Sequence, residues 1–567
     1  MGEPHPGQPQ PGHRSSTDVL IVGGGPVGAS LAIELAWRGV RSVVVEQRDV
    51  SQPERGNIRA RGVSLRSMEH LRRWGIADRL RREVTVPPEW PSQMIVKTSL
   101  VGEEILRFDR DASVDWREVA PEPGLGIPQY RFSAGLHERA VELGVTLLTG
   151  WRCSRLADTG TEVRAELVEL ATGQSRVIEA RYAVGCDGPH SLVRETAGIT
   201  RTESVPLGKN LSVSLWFPDA FEQLGIEPNA NFTIFDGRLV TLFCPYQADE
   251  WGYAIGPVPM DFDFSELDLV RETTARIGRE AHFELLWSSS YPVQQRVADT
   301  YRAGRLFIAG DAAHLFPPYL GQNMNTGIDD AVNLGWKLAA VLAGWGGPEL
   351  LDSYSAERQP IGWRNSGASV EISQVLARGQ ALLNREGLPS GDTDEAGRGR
   401  LALGRRLYDV CYPEWNTSGV VLDQRYQSSV IVDDGSVAPV YDGGRYQPFA
   451  KPGHRAPHVV LAGGTPLLDA LGPGLTLLDL NGGDLSGPGP SDGDLGGEQP
   501  GRATEPLAKA AADVGVPLEI LTVGDPVVRD LYGARLVLVR PDQHVAWRGE
   551  ALPTDAGALV DRVRGGR

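Results

Sequence analysis

Hydrophobic and polar positions along the chain predict a parallel α/β unit near its start. An apolar run over residues 18–22 ends in three glycines, and a stretch with helical periodicity follows over 27–37. A second apolar run with consecutive valines lies within 41–46. A strand, a tight turn, a helix and a buried strand in this order are typical of the opening of a doubly wound sheet.

The same patterns predict further elements and the loops between them. Helical periodicity predicts helices over 63–80, 133–143 and 325–342, and the start of another within 348–374. Apolar or alternating runs predict strands over 145–148, 162–170, 177–185, 305–309 and 534–540, with several antiparallel strands across 205–256. Polar, glycine-rich stretches predict loops over 385–400 and 481–505, the second one mobile and low in complexity. A mixed α/β chain of roughly three or four domains follows.

The glycine-rich turn after the first strand fits the pattern GxGxxG, which is typical of dinucleotide binding. Gly23 permits the tight turn, Gly25 lets the backbone approach a pyrophosphate, and Gly28 lets the helix pack close to the strand. The alternative is a purely structural turn between strand and helix. The pattern alone does not separate FAD from NAD.

Residues beside this turn complete the predicted nucleotide site. Pro26 and Val27 open the helix, whose free N–H groups and positive dipole end favour phosphate. Glu46 ends the second strand about 20 residues later, where a carboxylate can accept hydrogen bonds from ribose hydroxyls. We expect its neighbour Gln47 to contact the cofactor as well.

Charge and cysteine content narrow the classes of function. The 567 residues include 56 basic and 73 acidic side chains, a formal net charge of −17, which disfavours nucleic acid and anionic membrane surfaces as partners. No stretch approaches the ~20 apolar residues that a membrane helix needs, and the first residues lack a signal-peptide pattern. Four scattered cysteines without a CxxC motif indicate neither a metal site nor a disulfide framework, so we expect a cytoplasmic protein.

Two later motifs carry a resemblance to a known family. The sequence reads YAVGCDG at 182–188, followed by SLVR at 191–194, and LFIAGDAAH at 306–314. Together with the glycine-rich turn, and in the same order, these motifs resemble the class A flavoprotein aromatic hydroxylases, the family of p-hydroxybenzoate hydroxylase and phenol hydroxylase. The resemblance covers about residues 17–375 and is specific because all three motifs occur as a set.

The resemblance implies the fold and its division into domains. A Rossmann-like FAD-binding domain is expected to combine with an antiparallel-sheet substrate domain and a thioredoxin-like C-terminal domain. The segments 451–458 and 537–548 resemble parts of that last domain in phenol hydroxylase relatives, and without a CxxC motif no dithiol chemistry is expected there. The expected boundaries are a disordered arm over 1–17, the FAD-binding domain over 18–200 and 295–380 with substrate-domain segments near 80–125, the substrate sheet over 201–294, a helical and loop connection over 381–435, and the C-terminal domain over 436–567.

The resemblance also implies cofactor roles outside the first turn. Asp311 is expected to hold the ribityl hydroxyls of FAD, and Asp187 to serve FAD and the nicotinamide cofactor together, with a turn-forming Asp-Gly as the alternative. Backbone N–H groups of Met324 and Asn325 are expected at the flavin pyrimidine edge, where a helix N-terminus stabilises negative charge. Further expected cofactor contacts are Arg59, Gln129, Gly310, Pro318, Gly321 and Asn323.

Two residues depart from the family pattern beside the expected flavin. Family members usually carry glycine at the positions of Leu320 and Asn323. Asparagine tolerates the left-handed conformation, which makes Asn323 a near-neutral replacement, whereas Leu320 changes the expected shape of the flavin-side pocket. Pro318, Tyr319 and Leu320 are the candidate pocket residues, and His314 is expected to pack rather than to act as a general base.

The resemblance implies an activity as well. NADPH or NADH would reduce the FAD transiently, O2 would add to it, and the flavin hydroperoxide would hydroxylate an electron-rich, phenol-like ring. Composition and the C-terminal part resemble antibiotic-pathway hydroxylases that act on polycyclic aromatic polyketides. A Baeyer–Villiger oxygenation on the same fold and a non-catalytic flavin-binding redox protein are the alternatives. The substrate, the regiochemistry, the choice between NADH and NADPH, and the oligomeric state, with a homodimer as one candidate, stay open.

Overall fold

The computed structural model describes residues 14–50, 62–87, 89–91, 93–109, 114–202, 206–235, 240–389, 391, 393–480 and 503–566. Its strands are β1 (Arg14–Val22), β2 (Ser42–Glu46), β3 (Gly62–Val63), β4 (Met94–Lys97), β5 (Glu104–Phe108), β6 (Leu125–Gly126), β7 (Thr146–Thr149), β8 (Trp151–Asp158), β9 (Val163–Glu169), β10 (Ser175–Gly185), β11 (Pro206–Trp216), β12 (Asn231–Phe235), β13 (Val240–Pro245), β14 (Glu250–Val258), β15 (Glu284–Gln294), β16 (Arg296–Val297), β17 (Arg302–Ala303), β18 (Leu306–Ile308), β19 (His314–Leu315), β20 (Leu475–Asp479), β21 (Leu518–Thr522), β22 (Leu536–Val539) and β23 (Val545–Gly549). Its α-helices are α1 (Pro26–Trp37), α2 (Leu65–Arg73), α3 (Ala77–Arg82), α4 (Trp116–Val119), α5 (Gln129–Glu142), α6 (Leu192–Thr196), α7 (Ala220–Leu224), α8 (Leu269–Ile277), α9 (Gln322–Leu342), α10 (Asp352–Glu386), α11 (Asp394–Trp415), α12 (Ser418–Leu422), α13 (Glu505–Asp513), α14 (Pro526–Tyr532) and α15 (Ala556–Val563).

The first sheet is parallel at its centre and has the strand order β17-β18-β10-β1-β2-β7. The strands from β18 to β7 run parallel, while the β8–β9 hairpin continues antiparallel from β10. Helix α1 packs against both α5 and α9, and apolar residues such as Leu20, Ile21 and Leu31 are completely buried between the layers. The predicted Rossmann-like arrangement is therefore confirmed.

The N-terminal strand is longer than its apolar run. β1 begins at Arg14, because residues 14–17 pair in parallel with residues 177–180 of β10. Backbone ladder hydrogen bonds do not require apolar side chains, so hydropathy does not mark this extension. The expected disordered arm is wrong over 14–17, and residues 1–13 lie outside the described part of the chain.

Two predicted helices have different boundaries in the structure. The stretch predicted as one helix over 63–80 forms α2 and α3, since Gly75 between them adopts a φ of 73°, which ends the helical path. Leu71 and Leu80 are both buried, so the apolar periodicity continues across the break. Helix α5 begins earlier than predicted, which places Gln129 in its first turn.

The second sheet is mainly antiparallel and has the strand order β15-β11-β14-β13-β12-β4-β5. β12 and β4 pair in parallel, and the other neighbours pair antiparallel. Ile95 joins a cluster rich in aromatic residues, such as Phe217 and Trp251, on one face. Met94 and Val96 lie on the opposite face, which packs with α10 and α11, because alternate strand residues point to opposite sides.

Helix α11 occupies part of a segment predicted as loop. The loop predicted over 385–400 is wrong at both ends, because α10 runs to Glu386 and α11 begins at Asp394. The hydroxyl of Thr393 caps α11 by accepting a hydrogen bond from Ala396 N–H at 3.2 Å. Leu403 and Leu407 are buried against the second sheet. The polar, glycine-rich start of α11 thus precedes an apolar face that only the tertiary packing reveals.

A third sheet lies in the C-terminal part and has the order β21-β20-β22-β23. β20 and β21 run parallel, β22 and β23 join antiparallel, and helices α13, α14 and α15 follow β20, β21 and β23. This order is that of a thioredoxin-like unit and confirms the predicted fold class. The low-complexity stretch, apart from its last residues, lies in 481–502, outside the described residues. Among the described helices, none combines the length and apolarity required to cross a membrane.

Buried ion pairs join the C-terminal unit to the rest of the chain. Arg455 contacts Glu69 of α2, with Nε 3.0 Å from Oε2. Arg540 binds Glu357 of α10 through two hydrogen bonds of 2.6 and 2.8 Å, and Nζ of Lys337 lies 2.7 Å from the same carboxylate. All five side chains are completely buried. Each charge therefore depends on its partner to offset the cost of leaving water.

Removal of one partner in this network should destabilise the fold strongly. We expect Arg540→Leu to lower the free energy of unfolding by about 3–5 kcal/mol, because Glu357 loses its bidentate partner. The matched control is Arg529→Leu, whose partner Glu550 is largely exposed, with an expected loss of about 1 kcal/mol or less. Urea unfolding of both variants checks this, and equal losses in the two would contradict it.

Acid should destabilise the fold through His70, which lies on α2 and contacts Asp329 of α9. Burial, together with the Arg66 charge, lowers the pKa of His70 from 6.5 to about 4. Between pH 6.5 and pH 4, His70 is therefore protonated in the unfolded chain but not in the folded chain. The stability present above pH 6.5 is lost as the pH falls toward 4.

We expect the lowered pKa of His70 to reduce the free energy of unfolding by about 2 kcal/mol between pH 7 and pH 5. His70→Gln keeps an N–H donor for Asp329 but does not titrate, so its unfolding free energy should fall less over this interval. His190→Gln, at an exposed position, is the control and should follow the wild type. Identical pH dependence in all three proteins, measured by urea unfolding, would refute the assignment.

Candidate functional site

The glycine-rich turn and the DG motif meet at the carboxyl ends of β1 and β10. The N–H of Cys186 donates to the carbonyl of Val22 at 2.7 Å. A Cβ on Gly23 would lie 2.2 Å from the carbonyl oxygen of Cys186, and Gly23 has a φ of 102°. Both the space and the left-handed backbone therefore require glycine here.

The other two glycines of the motif have opposite surroundings. A Cβ on Gly28 would lie 2.0 Å from the carbonyl of Gly23, so this glycine is required for packing of α1 on the turn. A Cβ on Gly25 would have no atom of the described residues within 4 Å. Gly25 is the N-cap of α1, and Pro26 is its first residue, so the positive end of the helix opens onto free space. This cradle fits a pyrophosphate.

Glu46 lies at the end of β2 beside this turn and is buried. Its Oε2 accepts a hydrogen bond from Gly24 N–H at 2.8 Å, and its Oε1 accepts one from Arg48 N–H at 2.9 Å. Each carboxylate oxygen can accept more than one hydrogen bond, so ribose hydroxyls could bind as well. Gln47 is exposed next to it.

The third motif interlocks with the start of α1. Gly310 has a φ of 61°, and a Cβ there would lie 2.9 Å from Cγ2 of Val27. A Cβ on Gly327 of α9 would lie 2.5 Å from the same atom. The three predicted motifs therefore converge on one cradle, as separate segments of a single nucleotide site should.

Asp311 follows directly in this turn, and its Oδ1 accepts a hydrogen bond of 2.9 Å from Nδ2 of Asn323. Asn323 lies in the first turn of α9, so its tolerance of the left-handed conformation is not called upon. Leu320 instead has a φ of 62°, so a bulky side chain occupies a backbone conformation that glycine prefers. The departure from the family pattern is thus conformational at Leu320 and a matter of hydrogen bonding at Asn323.

The N-terminus of α9 is held by side-chain hydrogen bonds. Gly321 is its N-cap, and Nδ2 of Asn325 donates to the Gly321 carbonyl at 2.6 Å. Oδ1 of Asn325 accepts from Ser64 N–H at 2.9 Å and from the Ser67 hydroxyl at 2.7 Å. The N–H of Met324 belongs to the first turn, whose N–H groups have no partner within the helix. This arrangement suits negative charge at the helix start.

Asp187 lies in the same crevice, and its Oδ2 accepts from Val193 N–H at 3.2 Å. Its Oδ1 is buried, and within the described ranges nothing donates to it. Burial raises the pKa of this carboxyl. An acceptor in this state fits a hydroxyl or amide of a bound ligand. Of the other expected contacts, Gln129 lies half-buried in the first turn of α5, and Arg59 lies outside the described residues.

Sequence reasoning missed His137 of α5, whose Nε2 lies 2.5 Å from the carbonyl oxygen of Gly24. Burial lowers the pKa of His137, so the neutral ring donates from Nε2 and supports the turn. His314 is completely buried with Nε2 2.7 Å from Asp330, in agreement with the packing role expected for it. No local pattern marks His137, because its partner is distant in the chain.

A cluster of arginines beside the cradle was also missed, although one member, Arg194, belongs to the SLVR stretch at 191–194. Arg194, Arg201 and Arg296 lie close enough to affect one another: burial, followed by the charges of the other two, lowers the pKa of Arg201 to about 10. The Asp311 carboxylate acts in the opposite direction, so this group adjoins the third motif. Clustered positive charge suits an anionic ligand such as a dinucleotide phosphate.

An apolar cluster, which we call the apolar compartment, adjoins the loop beside the cradle on the side of the second sheet. Tyr319 and Leu320 pack against the apolar cluster between this sheet, α10 and α11, whereas Pro318 is exposed. Phe235, Val375 and Leu407 are buried members of that cluster. The loop that carries Leu320 thus separates a polar nucleotide cradle from an apolar compartment, as an enzyme that brings a cofactor to an organic substrate requires.

Comparisons with known proteins agree with this geometry. The chain matches the family described as "FAD binding domain" over residues 16–369 and the one described as "Aromatic-ring hydroxylase, C-terminal" over residues 500–565. Tetracenomycin A2 monooxygenase-dioxygenase from Streptomyces glaucescens is 30% identical, over 95% of this chain and 94% of the relative. Dialkyldecalin synthase from Streptomyces rugosporus is 34% identical, over 64% of this chain and 74% of the relative.

A solved structure is similar to this chain over its whole architecture. RebC, soaked with chromopyrrolic acid and holding bound 7-carboxy-K252c, is similar with a TM-score of 0.84 and 33% sequence identity, over 98% of this chain and 100% of that chain. The matches to the N-terminal family, to the C-terminal family and to complete relatives agree with one another. The chain therefore belongs to the family of FAD-binding aromatic-ring hydroxylases.

Proposed function

We propose that this protein is an FAD-dependent monooxygenase that uses NAD(P)H and O2 to hydroxylate an electron-rich, polycyclic aromatic substrate of the polyketide type. The observation that carries the proposal is the convergence of three separate motifs on one dinucleotide cradle, with Gly25 at its open side and an apolar compartment beside it. The names of tetracenomycin A2 monooxygenase-dioxygenase and of RebC with bound 7-carboxy-K252c support the substrate class.

Bound FAD would supply the redox and oxygen-transfer chemistry. The chain's own residues bind and orient it: the N-terminus of α1 receives the pyrophosphate, Glu46 the ribose, and Asp311 the ribityl chain. Gly23 and Gly28 shape the cradle. We propose that the bound cofactor also contacts the remaining expected residues, namely Pro26, Val27, Gln47, Arg59, Gln129, Asp187, Gly310, Pro318, Gly321, Asn323, Met324 and Asn325.

Electrostatics and exclusion of water are the other contributions of the chain. The first turn of α9, fixed by Asn325, presents N–H groups that stabilise negative charge without rearrangement. The apolar cluster around Phe235 and Leu407 keeps water away from the reacting side. We propose that the cluster of Arg194, Arg201 and Arg296 receives a phosphate of NAD(P)H. Arg194 donates a hydrogen bond to the Ala312 carbonyl of the third motif at 3.3 Å, and the charges of Asp187 and Asp311 act on Arg194 and Arg201.

The proposal also covers the domain boundaries, the location in the cell and the oligomeric state. The three sheets support the division into the FAD-binding, substrate and C-terminal domains with the boundaries given above. None of the four cysteines, all of which lie in the described part of the chain, forms a disulfide, which agrees with a reducing cytoplasm. A homodimer is retained as the candidate assembly.

A second candidate function is ring formation on the same FAD-bearing scaffold, without transfer of oxygen. The name of one relative favours it, since a 34% identical protein is named as a synthase of a dialkyldecalin rather than as an oxygenase. A Baeyer–Villiger oxygenation is the alternative within the oxygenase class.

The protein, reconstituted with FAD, should oxidise NADPH or NADH faster when a polycyclic phenol is present. We expect a product heavier by one oxygen atom, labelled when 18O2 is supplied, as mass spectrometry would show. The structure of the product separates ring hydroxylation from insertion into a ring C–C bond.

Two outcomes would overturn the proposal. Protein that binds FAD but converts an acyclic polyene to a ring-closed isomer of unchanged mass, without NAD(P)H, would establish the second candidate. Properly folded protein that stays colourless after addition of FAD would exclude both.

A methyl group at Gly25 should block the cofactor without disturbing the protein. An added Cβ meets no described atom within 4 Å, but it would occupy the space where a pyrophosphate approaches α1. We expect Gly25→Ala to weaken FAD binding about tenfold or more, measured by fluorescence titration, with unchanged stability of the apoprotein.

The matched control is Gly367→Ala in α10, where an added Cβ also has open space among the described residues. This variant should bind FAD like the wild type and gain slightly in helix stability. If Gly25→Ala bound FAD with wild-type affinity, the pyrophosphate would not lie at this turn.

A further inference from the structure

Two buried polar side chains lie at one edge of the apolar compartment. Tyr319 packs with the cluster between the second sheet, α10 and α11, and its hydroxyl oxygen is buried with no hydrogen-bond partner in the described part of the chain. Burial raises the pKa of this phenol well above its ordinary range, so it stays neutral and keeps its O–H as a donor.

Asn210 of β11 supplies a second buried group at the same place. Its side chain is 3% exposed, and its Oδ1 accepts no hydrogen bond from any described residue. The amide lies within reach of the Tyr319 hydroxyl and acts against the rise in the phenol's pKa, but the geometry falls short of a hydrogen bond between the two side chains. Asn210 also faces Tyr291 across the β11–β15 pair, which places it on the strand that borders the compartment.

Two unsatisfied polar atoms in an apolar compartment are costly unless a ligand completes them. One group of the pair offers a donor, the Tyr319 O–H, and the other offers an acceptor, the Asn210 Oδ1. A hydroxyl group is the simplest partner for both, because it accepts one hydrogen bond and donates another. A hydrocarbon of the same shape would leave both atoms unsatisfied.

We propose that Tyr319 and Asn210 bind one hydroxyl of an oxygenated aromatic substrate and so select phenols over hydrocarbons of equal shape. The inference rests on the proposed function, since it assigns the apolar compartment to the substrate. Tyr319 accounts for the position of that hydroxyl, because it lies in the loop that separates the compartment from the nucleotide cradle. The pair determines specificity and orientation and takes no part in electron or oxygen transfer.

Binding of two probes to the FAD-loaded protein tests this without turnover. Equilibrium dialysis would measure the dissociation constants of 2-naphthol and 2-methylnaphthalene, which differ in one polar group. We expect the wild type to bind 2-naphthol about tenfold or more tightly than 2-methylnaphthalene, because a site built for a hydroxyl penalises its absence. Tyr319→Phe and Asn210→Leu should each remove most of this preference by weakening 2-naphthol binding alone.

Tyr408→Phe is the matched control. Tyr408 packs against the same cluster, but its hydroxyl already accepts a hydrogen bond from Asn416 at 3.4 Å. This variant should keep the wild-type preference. Flavin absorbance of each variant shows that the fold is retained, and if one of the two test variants fails to hold FAD, the other decides.

Equal binding of the two probes by the wild type, or an unchanged preference in Tyr319→Phe, would overturn the inference. A loss of stability in both variants with the preference intact would show that Tyr319 and Asn210 bind each other instead, and would overturn it too. Failure of the proposed function has a different signature, because protein without phenol-stimulated NAD(P)H oxidation could still discriminate the probes.

Discussion

The buried carboxylate of Asp330 is the point at which the nucleotide cradle is tied together. It accepts hydrogen bonds from Gly310 N–H at 3.1 Å, from His314 at 2.7 Å and from Arg358 at 2.8 Å. Burial by itself raises the pKa of Asp330, but the opposing effects of His314 and Arg358 leave it lowered, so the group stays ionised. One charge on α9 therefore fixes the turn of the third motif, the strand after it and α10.

The C-terminal unit extends this arrangement and so supports the cradle from a distance. Glu357 precedes Arg358 on α10 and binds Arg540 of the C-terminal unit and Lys337 of α9. Displacement of that unit would leave Glu357 and Lys337 in an apolar interior with an incomplete set of partners. An appendage without a redox motif can thus be essential, because its charges hold the helices that carry the cofactor-facing turns.

The sequence predicts the parts of the cradle that depend on local chemistry. Gly23 and Gly28 are recognisable because no side chain fits their positions, and Leu320 is recognisable as a departure from glycine. The hydrogen bond from Asn323 to Asp311 could not be predicted, because whether Asn323 sits in a loop or in the first turn of a helix depends on where α9 begins. Asn210 and His137 carried no signal, since each acts on a residue that is close only after the chain has folded.

The same distinction applies to the helices. Apolar runs located the parallel strands of the first sheet, but they missed β8 and β17, whose residues are mostly exposed or half-buried. Periodicity failed at Gly75, where one apolar face continues across two helices, and at α11, whose first turn is polar although its later residues are buried. Sequence patterns predict which residues are buried. They predict where a helix ends only when a glycine or a capping residue marks the end.

Leu320 also affects how a movement in the apolar compartment is transmitted to the nucleotide cradle. A non-glycine residue in the left-handed region has few alternative conformations, since most of its neighbouring backbone space is closed to a branched side chain. The joint between compartment and cradle therefore loses the freedom that glycine would give it and acts as a stiff spacer. A ligand bound against Tyr319 would therefore displace the backbone as far as the start of α9, rather than change the shape of the loop alone.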